Sequence, residues 1–352
     1  MKRYKKQLLI YFLFIIAACN LSAQLKETEF IDYQKKVQTW LTMYKVPAVG
    51  IGYIEKGKLR QILVLGDLKE NDPAPYNTIF QISSLTKPVT AMLTLKLVSI
   101  GKWQLDEPLC NYWVDPDVAD DPRHLKLTTR HVLTHQTGFD NWRWNNKSKK
   151  LTFNFEPGTQ FKYSGEGFEY LRRSLEGKFK MTLGQLADSL LFKPLKMSDT
   201  RYIWDENIDE SRYAFAHDTL GNFLMPSENK EANAADLLKT SVEDYCKFGV
   251  AVMNGTLLTE EVFNDMVRPQ VEMPKYSYGL GWAILKDLSG GEYALIHTGH
   301  DDGIQTIILL LPKSKSGLVV FTNGENGNNV YKKIIIESLG LGQEIIDRFF
   351  TR

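Results

Sequence analysis

Strand-like runs stand at both ends of this chain and helix-like runs lie between them, a distribution that limits the folds open to it. Near the start, Ala48 to Ile54 and Gln61 to Leu65 are short apolar runs, with Glu55-Lys-Gly-Lys58 as the turn between them. Runs of this length bounded by polar turn residues predict a β-hairpin. Near the end, Glu292 to His297, Ile304 to Leu311 and Gly317 to Thr322 are again strand-like. They are separated by His300-Asp-Asp-Gly303 and Pro312-Lys-Ser-Lys-Ser316, short enough for antiparallel connections. Helical spacing marks Leu25 to Lys45, through Phe30, Val37, Trp40, Leu41 and Tyr44, and a closing helix over Asn328 to Leu339. The clearest helical patches between are Val89 to Ile100, Arg130 to His135, Gly167 to Lys178, Thr182 to Phe192 and Ser241 to Met253. The expected fold class is therefore α/β: an antiparallel sheet built from both chain ends, flanked by helices, with a mostly helical subregion over about 81–270.

The first residues read as a leader rather than as part of that fold. Lys2, Arg3, Lys5 and Lys6 precede an apolar run from Leu8 to Ala18, the pattern of a signal peptide over 1–23, which leaves 24–352 as the folded domain. Two cleavage readings stand side by side. Ile16-Ala17-Ala18-Cys19 resembles a lipobox, with the signal ending at 18 and Cys19 carrying a lipid; cleavage after Ala23 would instead discard Cys19. Either reading predicts an exported protein, periplasmic or membrane-anchored, that touches a membrane only through a lipid at Cys19. Loss of the leader takes the formal charge from +1 to −3, which gives no reason to expect nucleic acid as a partner. After the leader no segment is long and apolar enough to span a bilayer. Cys110 and Cys246 could pair in an oxidising compartment, but two free buried thiols are the expectation, and no Cys-x-x-Cys supports thiolate metal or redox chemistry.

The chemistry centres on Gln81-Ile-Ser-Ser84-Leu-Thr-Lys87-Pro88, just ahead of the apolar helix that Gly101 should stop. Ser84 and Lys87 stand three residues apart, so on a helix they share one face within a single turn. A serine hydroxyl becomes a useful nucleophile when a neighbouring base takes its proton, and an amine in the same turn can do so. The preceding Ser83 is placed to cap the helix, whose N-terminus favours a developing negative charge. Further on, Tyr163-Ser164-Gly165 sets a tyrosine in a glycine-rich turn before a helix, and His297-Thr298-Gly299-His300 closes a strand and opens a turn. Each of these would be unremarked alone, as a packed tyrosine or an ordinary strand end. His131 and His135 have the i, i+4 spacing of a zinc pair, but Val132 replaces the glutamate of the metalloprotease motif, so local hydrogen bonds are expected instead and no metal. Asn141-Trp-Arg-Trp-Asn-Asn-Lys-Ser-Lys-Lys150 is a polar insertion read either as a substrate lip or, preferably, as a loop pinned by one buried ring.

Taken in order, Ser84-x-x-Lys87, Tyr163-Ser-Gly165 and His297-Thr-Gly299 resemble the motifs of the serine β-lactamase and penicillin-binding family, in its class C-like branch. Leu133-Thr-His-Gln-Thr-Gly138, Pro157-Gly158, Pro194-Leu-Lys-Met-Ser-Asp-Thr200 and Tyr278-Gly-Leu-Gly-Trp282 look like that family too, so the resemblance covers about 30–339. It implies an acyl-serine mechanism without cofactor or metal. Ser84 would be the nucleophile, Lys87 and Tyr163 would handle protons, and the backbone N–H groups of Ser84 and His300 would hold the oxyanion. His297, Thr298, Gly299 and Gly165 would lie along the substrate.

Two departures bear on the substrate. Where the family's tyrosine motif often ends in asparagine, Gly165 offers no side chain, and where β-lactamases commonly carry lysine, this chain has His297. A histidine is mostly neutral at pH 7, so it supplies neither a fixed charge for a substrate carboxylate nor a strong pull on the tyrosine's proton. The expected function is a serine hydrolase of an ester or peptide-like amide, esterase or D-amino acid peptidase in type, on a small or peptide substrate that a cell wall could supply. The alternatives are a β-lactamase or DD-carboxypeptidase, and, from another class, a non-catalytic ligand-binding protein on the same fold.

Overall fold

The computed structural model describes residues 29–351; the leader, Cys19 and both cleavage readings lie outside the described residues. Helix α1 (29–44) buries Val37 and Leu41, one turn apart, and leads into strand β1 (Ala48–Glu55). Strand β2 (Lys58–Lys69) returns beside it, longer at both ends than its apolar run, and β3 (Asp72–Pro73) continues the edge. After β4 (Ile79–Gln81) come the helices α2 (Thr86–Ser99), α3 (Thr129–Leu133), α4 (Gly165–Phe179), α5 (Leu183–Ala187) and α6 (Lys193–Leu195). Strand β5 (Lys239–Ser241), α7 (Val242–Met253) and α8 (Glu260–Val267) complete the helical region. The chain then returns to the sheet through β6 (Val271–Glu272), β7 (Ser277–Tyr278), β8 (Ala283–Leu288), β9 (Glu292–Asp301), β10 (Ile304–Leu311) and β11 (Ser316–Thr322), followed by the helices α9 (Gly327–Ser338) and α10 (Gly342–Ile345).

The main sheet runs β3-β2-β1-β11-β10-β9-β8-β7-β6, with every adjacent pair antiparallel. The two ends of the chain meet at its centre, where Val49 stands opposite Thr322 and Ile54 opposite Gly317. Both faces are covered, which explains why β10 is buried at every residue. Side chains alternate between the two cores with a period of two. On β10 and β11, Ile307, Leu309, Leu318 and Val320 join α1 and α9, while Ile308, Leu310, Val319 and Phe321 join the helical region.

Four local expectations are corrected. Strand β9 does not end at His297: it continues through His300 to Asp301, with Thr298 opposite Ile307 and His300 opposite Gln305. On its other side β8 pairs only as far as Ile296, so the polar stretch from His297 onward keeps one free edge, and that polar character mimics a turn in the sequence. Ser83 does not cap α2: Leu85 is the residue at the cap, and the Ser83 hydroxyl is buried without a partner among the described residues. Helix α4 begins at Gly165 rather than Gly167, because the Ser164 hydroxyl accepts from Gly167 N–H at 3.0 Å. Cys110 and Cys246 are both free thiols, but only Cys246 is buried. Among the described residues no helix is long and apolar enough to cross a membrane.

Candidate active site

The turn that carries Ser84 is fixed from three sides. Ser83 sits at φ 50°, a left-handed conformation that costs a non-glycine residue on the order of 1 kcal/mol and persists where surrounding contacts determine it. Those contacts are explicit. Thr86 Oγ1 donates to Ser83 O at 2.7 Å, Thr306 Oγ1 on β10 donates to Ile82 O at 3.0 Å, and Ile82 N–H donates to Leu238 O at 3.0 Å. Pairing of β4 with β5, Gln81 opposite Lys239, brings the 235–238 segment alongside. Tyr245 on α7 donates to Leu85 O at 2.7 Å.

Ser84 is half-buried, and so reachable, at the head of the buried α2. Lys87 is 1 % exposed. Its Nζ donates to Ser84 Oγ at 3.0 Å and to Ala235 O at 3.0 Å. The same Nζ lies 4.6 Å from the centre of the Tyr163 ring. Burying a lysine head group is costly without partners; here two hydrogen bonds and an aromatic face offset that cost. The serine and the lysine, three residues apart, thus share one site with a tyrosine remote in sequence.

Tyr163 is positioned from behind by His135. Ser164 N–H donates to His135 Nδ1 at 3.1 Å, which makes Nε2 the protonated nitrogen, and Nε2 lies 3.1 Å from the Tyr278 hydroxyl. The imidazole packs on Tyr163 with ring centres 4.3 Å apart. Complete burial, and after it the nearby Lys87 charge, holds the His135 pKa well below its ordinary value. His131 instead accepts Thr128 N–H at Nδ1 inside the α3 cap. Both histidines make the local hydrogen bonds expected of them.

Strand β9 forms the opposite wall. A Cβ on Gly299 would stand 2.4 Å from Ile82 O and 2.2 Å from Thr306 Oγ1, so only glycine lets the strand approach the turn that carries Ser84. His297 Nδ1 lies 2.9 Å from Thr298 O and must carry the proton, which leaves Nε2 as an acceptor, buried with no partner among the described residues. Its ring centre is 6.4 Å from that of Tyr163. Burial first, and then the Lys87 charge, holds the His297 pKa down to about 3, so this imidazole is neutral at pH 7. The His300 side chain faces outward and meets Glu325 at 2.9 Å.

Gly165 also has a steric reason. A Cβ there would come within 2.7 Å of the Trp142 indole, so that ring covers the space where the resemblance places an asparagine side chain. Trp144 stacks on Trp142 with ring centres 4.7 Å apart and is itself exposed. Arg143 between them binds Glu166, Asp115 and Asp117. The insertion is a pinned loop that also borders the site. Sequence reasoning overlooked the Ala235 carbonyl and the Asp236 side chain beside it; a lone loop carboxylate carries no periodicity or motif that could have marked it.

The arrangement can deliver a serine alkoxide to a carbonyl lying along β9. The comparisons agree with that chemistry. A family model described as Beta-lactamase matches residues 28–338. "Protein flp" of Staphylococcus aureus (strain MW2) is 23% identical over 323 residues, covering 84% of this chain and 62% of its own, so the chain spans less than two thirds of that relative. The fold is similar to that of D-alanine carboxypeptidase AmpC from Burkholderia cenocepacia, with a TM-score of 0.73, 19% identity and coverage of 87% and 97%. It is also similar to the D-amino acid amidase from Ochrobactrum anthropi SV3, with a TM-score of 0.71, 20% identity and coverage of 88% and 100%.

Proposed function

The chain belongs to the β-lactamase family of serine hydrolases, and from that premise we propose that it hydrolyses an ester or peptide-like amide through an acyl intermediate on Ser84. The observation that carries this reading is the 3.0 Å contact between Lys87 Nζ and Ser84 Oγ beneath the Tyr163 ring. With its amine free, Lys87 takes the Ser84 proton as Oγ attacks the carbonyl carbon. Backbone N–H groups of Ser84 and His300 receive the oxyanion, and the leaving group departs with a proton passed through Tyr163. Water then attacks the acyl ester, releases the acid and returns the proton to Ser84. The D-amino acid amidase among the structural neighbours supports an amide substrate, and the neutral His297 weighs against one held by a carboxylate. The basic and apolar leader supports export.

The test is covalent labelling. A fluorophosphonate probe should mark the wild-type protein once, on Ser84, and Ser84→Ala should lose both the label and at least about 10⁴-fold of ester hydrolysis. An unlabelled wild type would point to a binding protein on this fold. Rapid turnover of a chromogenic cephalosporin, with little activity on esters or D-amino acid amides, would make it a β-lactamase instead.

A further inference from the structure

The charges around Ser84 are distributed for a cationic substrate. The position where the resemblance places a lysine holds a neutral imidazole, whose buried Nε2 presents an unpartnered acceptor beside Tyr163. Across the site, Asp236 directly follows the Ala235 carbonyl that binds Lys87. Its carboxylate accepts one hydrogen bond, from Leu237 N–H at 2.8 Å, and Leu237 itself is held at φ 65°. Asp301 closes β9, one residue beyond His300; it accepts from Gln81 Nε2 at 3.2 Å and from Asp302 N–H at 3.0 Å. Among the described residues neither carboxylate forms an ion pair.

The groups within electrostatic reach of Asp236 are Asp301, Lys87 and Lys239. Burial, and after it the Asp301 charge, pushes Asp236 up to about 6, so it is still mostly ionised at pH 7. Asp301 is raised by its own burial against the opposing hydrogen bond from Asp302 N–H; the Asp302 and Glu325 charges act upward and His300 downward. Both lysines are occupied elsewhere. Lys87 is bonded to Ser84 and Ala235, and Lys239 is bonded to Asn229 Oδ1 near the Trp204 ring. Two half-buried carboxylates without a bonded cation cost stability, and a site that accepts such a cost can recover it on binding a cation.

Resting on the acyl-serine reading above, we propose that the substrate's acyl group carries a protonated amine, received by Asp236 with Asp301 behind it, and that His297 leaves that region without the fixed positive charge a substrate carboxylate would need. An α-amino ester or amide, such as an amino acid derivative with a free N-terminus, has this chemistry. An N-acylated or succinylated analogue lacks the cation, and the latter adds a charge of the wrong sign.

The experiment compares alanine methyl ester, as D and L forms, with N-acetylalanine methyl ester and monomethyl succinate, following acid release at pH 7. The expected order of kcat/KM is free amine above N-acetyl above succinate, with at least about tenfold between the first and last. Asp236→Asn should reduce the ratio of free-amine to N-acetyl kcat/KM by about tenfold, and Asp301→Asn by less. Damage that is only structural lowers both rates and leaves the ratio in place. An unchanged ratio in Asp236→Asn, a preference for succinate, or fluorophosphonate labelling of Ser84 with no turnover of the free-amine esters overturns the proposal. A wild type that takes no label at Ser84 overturns the acyl-serine reading itself, so the two failures are distinguishable.

Discussion

At the scale of single residues, the site depends on atoms that are missing as much as on those present. Gly299 lets β9 lie against the turn that carries Ser84, since a Cβ would meet the Ile82 carbonyl at 2.4 Å. Backbone oxygen cannot swing aside as a flexible side chain can, so Gly299→Ala must displace either the strand or the turn. A shift of about 1 Å at a reacting centre costs on the order of 10²-fold in rate. Gly299→Ala should therefore lose about that much kcat on any ester the wild type accepts. Gly340→Ala, with nothing within 4 Å of its added methyl, should keep the wild-type rate. Equal rates in the two variants would show that β9 does not hold the nucleophile's turn in place. None of this steric logic is visible in the sequence beyond the presence of a glycine after Thr298.

At the scale of elements, legibility followed periodicity. The strands β10 and β11 and the all-round apolar α2 announced themselves because a buried element is apolar over several consecutive residues, though which core each strand residue joins was not read. The end of β9 did not, because an edge that faces a substrate rather than a neighbouring strand carries polar residues. Ser84, Lys87 and Tyr163 were legible through a resemblance of motifs; Asp236 and Ala235 O were not, because only the folding of β5 against β4 brings them to the site. The 141–150 insertion was legible as a pinned loop, but no buried ring pins it: Trp142 is half-buried and Trp144 exposed. Arg143 does so, reaching Glu166 at 2.9 Å and Asp115 at 2.8 Å, both carboxylates 5% exposed. Arg143→Ala would leave two buried carboxylates with backbone hydrogen bonds but without their counter-ion, which costs about 3–5 kcal/mol. Melting should fall by about 5 °C or more, and Arg143→Lys should recover only part of it, since an ammonium cannot make the paired guanidinium contacts. A melting temperature within about 1 °C of wild type would mean that the loop is held by its tryptophans alone.

At the scale of the whole molecule, a sheet closed by both chain ends and covered on both faces creates an interior in which histidines cannot easily charge. His135 and His297 are fully enclosed, and burial is the leading cause of the depressed pKa in each, reinforced by Lys87. The unfolded chain binds a proton at each below about 6.5, whereas the folded chain refuses one at His297 until about 3. Between those values the unfolded state holds more protons, so the stability present above 6.5 is lost as the pH falls, by up to about 1.4 kcal/mol per pH unit for each such group. Asp236 and Asp301 act in the opposite sense: their raised values mean that the folded state takes up protons first, which relieves a cost as acid is added. The total curve therefore mixes both signs, and the contribution of His297 is isolated by difference. Urea unfolding of wild type and His297→Gln, compared from pH 7 to pH 4, should show the variant gaining on the wild type as the pH falls, because glutamine has no proton to bind in either state. Parallel curves would mean that His297 can charge inside the fold, and the neutral wall beside Tyr163, with the substrate preference argued from it, would have to be abandoned.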